Sequence, residues 1–136
     1  MELRRLAVLT PENETFWLGG EDGTLRFLRC QSCRYFIHPP SPVCPECLSR
    51  DVAYEGVSGS AEVLTYTINY QQWFPGQDVP YVVAIVEMPE QEGLRLTTNI
   101  VNCSVDDVTI GMQVVVKFLP VEEMYLPLFE PLESVT

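Results

Sequence analysis

The strongest constraint on this 136-residue chain is a set of four cysteines, arranged as two C-x2-C pairs that are ten residues apart. The pairs are Cys30 with Cys33 and Cys44 with Cys47. Each pair predicts a tight knuckle, and two facing knuckles give the four thiolates that usually hold structural zinc. Two disulfides and a redox iron centre remain alternatives, since both use the same residues. We expect zinc, because an iron centre also needs a tuned shell of N–H donors. With no recognisable secretory signal upstream, we also expect reduced thiols in a cytoplasmic protein.

The net charge of −11 is carried by the second part of the chain. Residues 1–50 contain six basic and six acidic residues, whereas residues 51–136 contain two basic and thirteen acidic ones. An acidic surface of this kind repels phosphate backbones, so we expect no nucleic-acid partner. No run approaches the ~20 apolar residues of a membrane helix, so we expect no membrane partner either.

The N-terminal part predicts one short helix and one short strand. Thr10-Pro11 is typical of a helix start, with a hydroxyl cap followed by proline at the first helical position. The helix should end or loosen at Gly19-Gly20. Residues 24–29 alternate and predict a strand that leads into the first knuckle. The prolines between the knuckles exclude a helix there and indicate a hairpin-like loop.

After the second knuckle the hydrophobic period becomes two, which predicts strands. The predicted strands are residues 60–70, 80–88, 94–101 and 112–119. One alternation runs through the first strand and places Val63 and Thr65 on the same face. The second strand is almost continuously apolar, as in a strand buried on both faces. With a capped helical turn at residues 104–107, this order predicts a small closed barrel of the OB-fold type.

A series of short motifs gives the chain a resemblance to a known family. The motifs are Phe16-Trp17, Gly23-x-Leu25, Cys30-x2-Cys33, Pro39-Pro40, Cys44-Pro45-x-Cys47, Gly59-x-Ala61-x-Val63, Pro80-Tyr81-Val82-Val83-Ala84 and Ile110-Gly111-Met112-x-Val114. In this order the chain resembles the zinc-ribbon/OB-fold proteins, long known as a domain of unknown function, that accompany thiolase-like acyl-CoA enzymes. The late segments LTTNIVNC and LPLFEP are similar to the branch that partners steroid side-chain aldolases.

The resemblance implies a mainly β protein with an N-terminal helix, a rubredoxin-like zinc ribbon and then an OB-fold barrel. We expect the N-terminal helical segment to span residues 1–23, the ribbon 24–56 and the barrel 57–120. The tail, residues 121–136, should complete the barrel or contact a partner.

The resemblance also implies a function in lipid metabolism. Members of this family are non-catalytic subunits that help form the acyl-CoA site of a thiolase-like enzyme, and we expect a heterotetramer with that enzyme. The partner should be a retro-aldolase that splits a steroid side-chain CoA thioester. A thiolase or HMG-CoA-synthase-type partner and a rubredoxin-like electron carrier remain alternatives. With one histidine in the chain, no Ser/His/Asp or Cys/His set can be assembled, which favours an accessory protein over an enzyme.

Two groups of residues are candidates for binding beyond the metal. Aromatic residues are predicted to contact the partner or the acyl group: Phe16, Trp17, Tyr70, Trp73, Phe74 and Phe129. The loop at residues 70–79 is the main candidate, since aromatic residues in a loop are readily exposed. Arg34 and Arg50 are predicted to meet the phosphates of CoA, because guanidinium groups suit phosphate.

The remaining expectations concern His38, Cys103 and the residue that follows each knuckle. His38 should be exposed or hydrogen-bonded, and Cys103 should be a small buried residue without reactivity. Arg34 and Leu48 follow the second cysteine of each knuckle, where glycine is common, so we expect less regular knuckle geometry.

Overall fold

The computed structural model describes residues 8–11, 13–73 and 75–132. Its one α-helix and eight strands are α1 Glu14–Leu18, β1 Arg26–Cys30, β2 Phe36–Ile37, β3 Val52–Gly56, β4 Ser60–Asn69, β5 Tyr81–Glu87, β6 Arg95–Ile100, β7 Gln113–Val121 and β8 Met124–Pro131. Two 3-10 turns occur at Gly19–Asp22 and Val105–Asp107. The prediction of a mainly β chain with a short N-terminal helix is confirmed.

The N-terminal turn begins at Thr10, as predicted, but α1 itself begins only at Glu14. Thr10 and Asn13 form a reciprocal pair of hydrogen bonds. The Asn13 N–H donates to the Thr10 hydroxyl at 3.2 Å, and the Thr10 N–H donates to the Asn13 side-chain oxygen at 2.8 Å. This exchange satisfies two N–H groups at the start of the helix.

Helix α1 ends at Leu18, directly before the two glycines, and the second glycine also allows close packing. The chain continues through the 3-10 turn, which ends at Gly23 with φ +83°. A Cβ on Gly20 would lie 2.5 Å from the Phe118 ring and 2.8 Å from the Cβ of Tyr125. Only glycine fits between this turn and the β7–β8 hairpin.

The first three strands form a small antiparallel sheet in the order β2-β1-β3. The predicted strand before the first knuckle is β1, and the loop between the knuckles contributes β2. The sheet therefore places one knuckle at the end of β1 and the other before β3.

The last five strands form a closed barrel in the order β4-β5-β6-β8-β7, which confirms the OB-fold prediction. The tail supplies β8, which pairs antiparallel with β7 and parallel with β6. At the β6–β8 contact, the buried Thr98 hydroxyl donates to the Pro127 carbonyl at 2.8 Å, while the Val101 N–H donates to the Phe129 carbonyl. The tail thus completes the barrel.

A β-bulge in β4 overturns the predicted alternation along that strand. The register to β5 shifts between Val63 and Thr65. Before the bulge Val63 faces the core, and after it Tyr66 and Ile68 do, because they pair with the inward residues of β5. Val63 and Thr65 therefore lie on opposite faces, since the extra residue reverses the period of two.

The expectation that β5 is buried on both faces is also wrong. Its inward side chains are fully buried, namely Val82, Ala84 and Val86. Its outward side chains are half-buried, namely Tyr81, Val83 and Ile85. The apolar run arises because β5 faces the core on one side and carries apolar, half-buried side chains on the other.

The ribbon and the barrel share one hydrophobic core. Phe27 and Phe36 of the ribbon belong to the same buried cluster as the interior of the barrel. A polar clamp adds to this contact. The Phe36 N–H donates to the Gln91 side-chain oxygen at 2.7 Å, and the Gln91 amide donates back to the Phe36 carbonyl at 2.9 Å. None of the described helices has both the length and the apolar character needed to cross a bilayer.

Candidate metal centre and recognition surface

The two cysteine knuckles have the same backbone geometry. The Arg34 N–H donates to the Cys30 carbonyl at 3.1 Å, and the Leu48 N–H donates to the Cys44 carbonyl at 2.9 Å. Arg34 and Leu48 both adopt left-handed backbone conformations, with φ 69° and 65°. The expectation of less regular knuckles is therefore wrong. These residues adopt the conformation that glycine prefers, at a cost of about 1–2 kcal/mol each.

The four sulfurs converge on one centre. All lie within 4.8 Å of one another, and two of the pairs, Cys30 with Cys47 and Cys33 with Cys44, are 3.6 Å apart. A tetrahedral zinc site with bonds of about 2.3 Å places its sulfurs about 3.8 Å apart, so the arrangement fits the metal. All four cysteines are free thiols, so the structure does not contain the alternative disulfides.

Backbone N–H groups point at the buried sulfurs. Ser32 and Cys33 each donate to the Cys30 sulfur at 3.4 Å, and Glu46 donates to the Cys44 sulfur at 3.4 Å. The Cys33 N–H is the main cause that lowers the pKa of the Cys30 thiol to about 6. Because metals bind the thiolate, these donors favour the metal-ligating form.

Of the two arginines predicted to meet CoA phosphates, one already has a partner. Arg34 lies 2.8 Å from Glu55, which Arg29 also contacts at 3.3 Å. Hydrogen bonds from Gln31 and from Arg29, together with Arg34, hold the pKa of Glu55 below its usual value. Arg50 is exposed and has no ion pair within the described part of the chain. The geometry thus leaves Arg50 as the more available cation.

His38 is half-buried against two aromatic rings, so the expectation that it is exposed is wrong. Its imidazole centroid lies 5.2 Å from the Phe16 ring and 4.9 Å from the Phe27 ring, edge-on to the latter. Burial lowers the pKa of His38 to about 4, so the ring is neutral at physiological pH. Its role is to pack α1 against the ribbon.

Three of the six candidate aromatic residues pack inside the protein. Phe129 has no exposed area and Phe16 is 5% exposed, so both belong to the core rather than to a contact surface. Trp17 is half-buried and lies edge-to-face with Phe16, with ring centroids 4.9 Å apart. The structure therefore assigns Phe129 to barrel closure and the Phe16-Trp17 pair mainly to attaching α1.

Two candidates in the 70–79 loop are exposed to solvent. Tyr70 and Trp73 are each 67% exposed, whereas Phe74 lies outside the described residues. The Trp73 indole donates to Asn69 at 3.0 Å, and its backbone N–H donates to the Gln77 side chain at 2.8 Å. These bonds hold the indole in place without burying it.

The remaining polar candidates do not form a catalytic arrangement. Cys103 is half-buried, and burial followed by the nearby charge of Asp107 raises the pKa of its thiol, which disfavours the reactive thiolate. Glu62 and Glu87, two strand carboxylates that could face a cavity by sequence, pair in register across β4 and β5 and line a surface pocket of about 280 Å³.

The fold and the cysteine site together define a zinc-ribbon/OB-fold protein. Family models agree: a model described as the ChsH2 rubredoxin-like zinc ribbon domain matches residues 17–53, and one described as the ChsH2 C-terminal OB-fold domain matches residues 54–119. The chain belongs to the ChsH2 family of DUF35 proteins, and its four cysteines form the metal site of the zinc ribbon.

Several relatives support this assignment. A DUF35 domain-containing scaffold protein of Methanocaldococcus jannaschii is 38% identical over 71% of this chain and 68% of its own length. A probable enoyl-CoA hydratase alpha subunit of Thermomonospora curvata is 35% identical over 95% of this chain. The chain spans only 40% of that relative. It spans 36% of the 3-oxo-4,17-pregnadiene-20-carboxyl-CoA hydratase alpha subunit of Mycobacterium tuberculosis, which is 31% identical.

Solved structures show the same architecture. A chain of an Ltp2-ChsH2(DUF35) aldolase superposes with a TM-score of 0.81 and 36% identity, covering 93% of this chain and 98% of that one. A DUF35-family protein of unknown function from Sulfolobus solfataricus has a TM-score of 0.61 and 21% identity, over 89% of this chain and 85% of that one. The second likeness concerns the fold alone.

Proposed function

We propose that this chain is a non-catalytic accessory subunit of a thiolase-like, CoA-dependent enzyme in the cytoplasm. The partner is a retro-aldolase that cleaves a steroid side-chain CoA thioester. In this assembly the chain stabilises the complex, most simply as a heterotetramer, and completes the acyl-CoA site with the 70–79 loop and Arg50.

The observation that carries the proposal is the likeness to the ChsH2(DUF35) chain of an aldolase, which extends over nearly the full length of both chains. Three features of the chain fit this role. The metal site is closed by four thiolates, which suits a structural metal rather than a catalytic one. The described residues assemble no nucleophile and base, since His38 is enclosed by aromatic rings. The exposed Tyr70 and Trp73 are the residue types that dominate interface energetics.

A thiolase or HMG-CoA-synthase-type partner is the second candidate. Two archaeal relatives are described as DUF35 domain-containing scaffold proteins, of which the chain covers 68% and 71%. A scaffold role fits the same closed metal site and the same exposed loop.

The test is co-expression of this chain with a thiolase-like subunit from the same genome, followed by sizing chromatography and an aldolase assay. The substrate in the assay is a β-hydroxyacyl-CoA attached to a polycyclic ring system. The assay measures its cleavage into a ketone and a shorter acyl-CoA. We expect co-elution and cleavage by the complex but not by this chain alone. Separate elution with no gain of activity would overturn the proposal, and condensation without cleavage would favour the thiolase-type partner.

One spectrum separates these functions from electron transfer. A zinc tetrathiolate is colourless, whereas a ferric one absorbs visible light, so a red purified protein would favour a rubredoxin-like carrier instead.

A further inference from the structure

The outward side of the β4–β5–β6 sheet carries, between its two ends, a continuous surface without a charged side chain. Cross-strand register places Thr67 opposite Val83 and Val83 opposite Asn99. We call this surface the outer face, and its residues are Thr65, Thr67, Asn69, Tyr81, Val83, Ile85, Thr97 and Asn99. In a chain of net charge −11, a group of eight adjacent residues without a charge is unusual.

The helix and strands within residues 8–11, 13–73 and 75–132 leave the outer face accessible. Helix α1 packs against β8 and β1. Thr65, Thr67 and Thr97 are exposed, while Val83 and Ile85 between them are half-buried. Depletion of charge around aliphatic and aromatic side chains is the compositional mark of the centre of a protein interface.

The outer face continues into the 70–79 loop. The Gln77 side chain, which accepts from the Trp73 N–H, donates to the Tyr81 hydroxyl at 3.2 Å. The exposed Trp73 and Tyr70 therefore stand next to the neutral sheet rather than apart from it. OB-folds commonly bind ligands on their second and third strands and the loop before them, and β5, β6 and this loop occupy those places.

Charge at the two ends of the outer face indicates the kind of partner. Asp78 lies in the loop at one end. At the other end Glu62 pairs in register with Glu87, and Arg95 lies 3.8 Å from Glu87. Acidic groups at the two ends of a neutral centre complement a partner with an apolar centre and Lys or Arg at its edge. It disfavours nucleic acid, and it disfavours a second copy, which carries the same negative charge.

We propose that the outer face, together with Tyr70 and Trp73, is the surface on which the thiolase-like enzyme subunit docks. This inference rests on the function proposed above and names the surface that performs it. The zinc ribbon then stabilises the fold from the side without forming the centre of the interface.

The test compares three arginine substitutions in the full chain, each at an exposed strand position. Thr67→Arg and Thr97→Arg place a bulky cation in the outer face, whereas Ala53→Arg places the same group on β3 of the ribbon. Binding of the thiolase-like subunit is measured by calorimetry, and circular dichroism melting shows that each variant is folded. We expect Thr67→Arg and Thr97→Arg to raise Kd at least about tenfold, because a desolvated charge without a partner is costly, and Ala53→Arg to leave it unchanged.

The possible outcomes separate this inference from the proposed function. If the native chain does not bind the enzyme subunit, the proposed function fails and this inference fails with it. If the native chain binds and the two outer-face variants bind equally well, only the outer face is refuted. Loss of binding with Ala53→Arg alone would move the interface to the ribbon. Self-association of the native chain that Thr67→Arg abolishes would make the occupant a second copy and would overturn the inference.

Discussion

Acidification should destabilise this protein through His38. The ring is enclosed by Phe16 and Phe27, and its pKa falls from the usual 6.5 to about 4. Because the unfolded chain binds the proton more tightly, the contribution is fully present above pH 6.5 and is lost as pH falls toward 4. The whole difference corresponds to about 3 kcal/mol, of which about 2 kcal/mol is lost between pH 7 and pH 5.

Urea unfolding at pH 7, 6 and 5 measures this loss, and His38→Phe is the matched variant. Phenylalanine keeps an aromatic ring between Phe16 and Phe27 but cannot take up a proton. Protonation of the metal-binding thiolates affects both chains equally, so the difference between their pH profiles isolates His38. The native chain should lose about 2 kcal/mol more than the variant between pH 7 and pH 5. Parallel profiles would refute the reasoning.

Two further predictions concern the metal knuckles. Cys44→Ser should lower bound zinc from about one per chain to nearly none and reduce the melting temperature, because binding energy at such a site is folding energy. Metal analysis measures the bound zinc. The control variant, Cys103→Ser, should keep its zinc. Leu48→Gly should raise the free energy of unfolding by about 0.5–1 kcal/mol, since relief of about 1–2 kcal/mol of left-handed strain exceeds the entropy cost of glycine. A higher urea midpoint is expected, and a lower one would contradict the strain argument.

The metal site and the barrel could be predicted because both depend on local patterns. Two C-x2-C pairs define a knuckle each, whatever the rest of the chain does. Alternating strands with a capped turn at residues 104–107 are similarly local, and the Ser104 hydroxyl indeed accepts from the Asp106 N–H at 3.2 Å. Patterns that span only a few residues were therefore enough to predict the fold class.

Features that depend on contacts between distant segments could not be predicted. The bulge after Val63 adds one residue on one strand, and a period of two contains no signal for it. Phe129 is an aromatic residue in a proline-rich tail until the β6–β8 pairing places it in the core. His38 is half-buried where α1 and β1 bring Phe16 and Phe27 against its ring.

The Gln91 clamp and the shared core link metal binding in the ribbon to the stability of the barrel, which does not contact the metal site. Phe36 stands between the knuckles in sequence, yet both of its backbone polar groups bond to the β5–β6 loop. Metal and barrel are thus coupled by mass action: a ligand that binds only the folded chain stabilises all of it, by an amount that grows with the logarithm of free metal concentration. A fall in free zinc concentration should therefore lower the free energy of unfolding of the barrel as well as that of the ribbon.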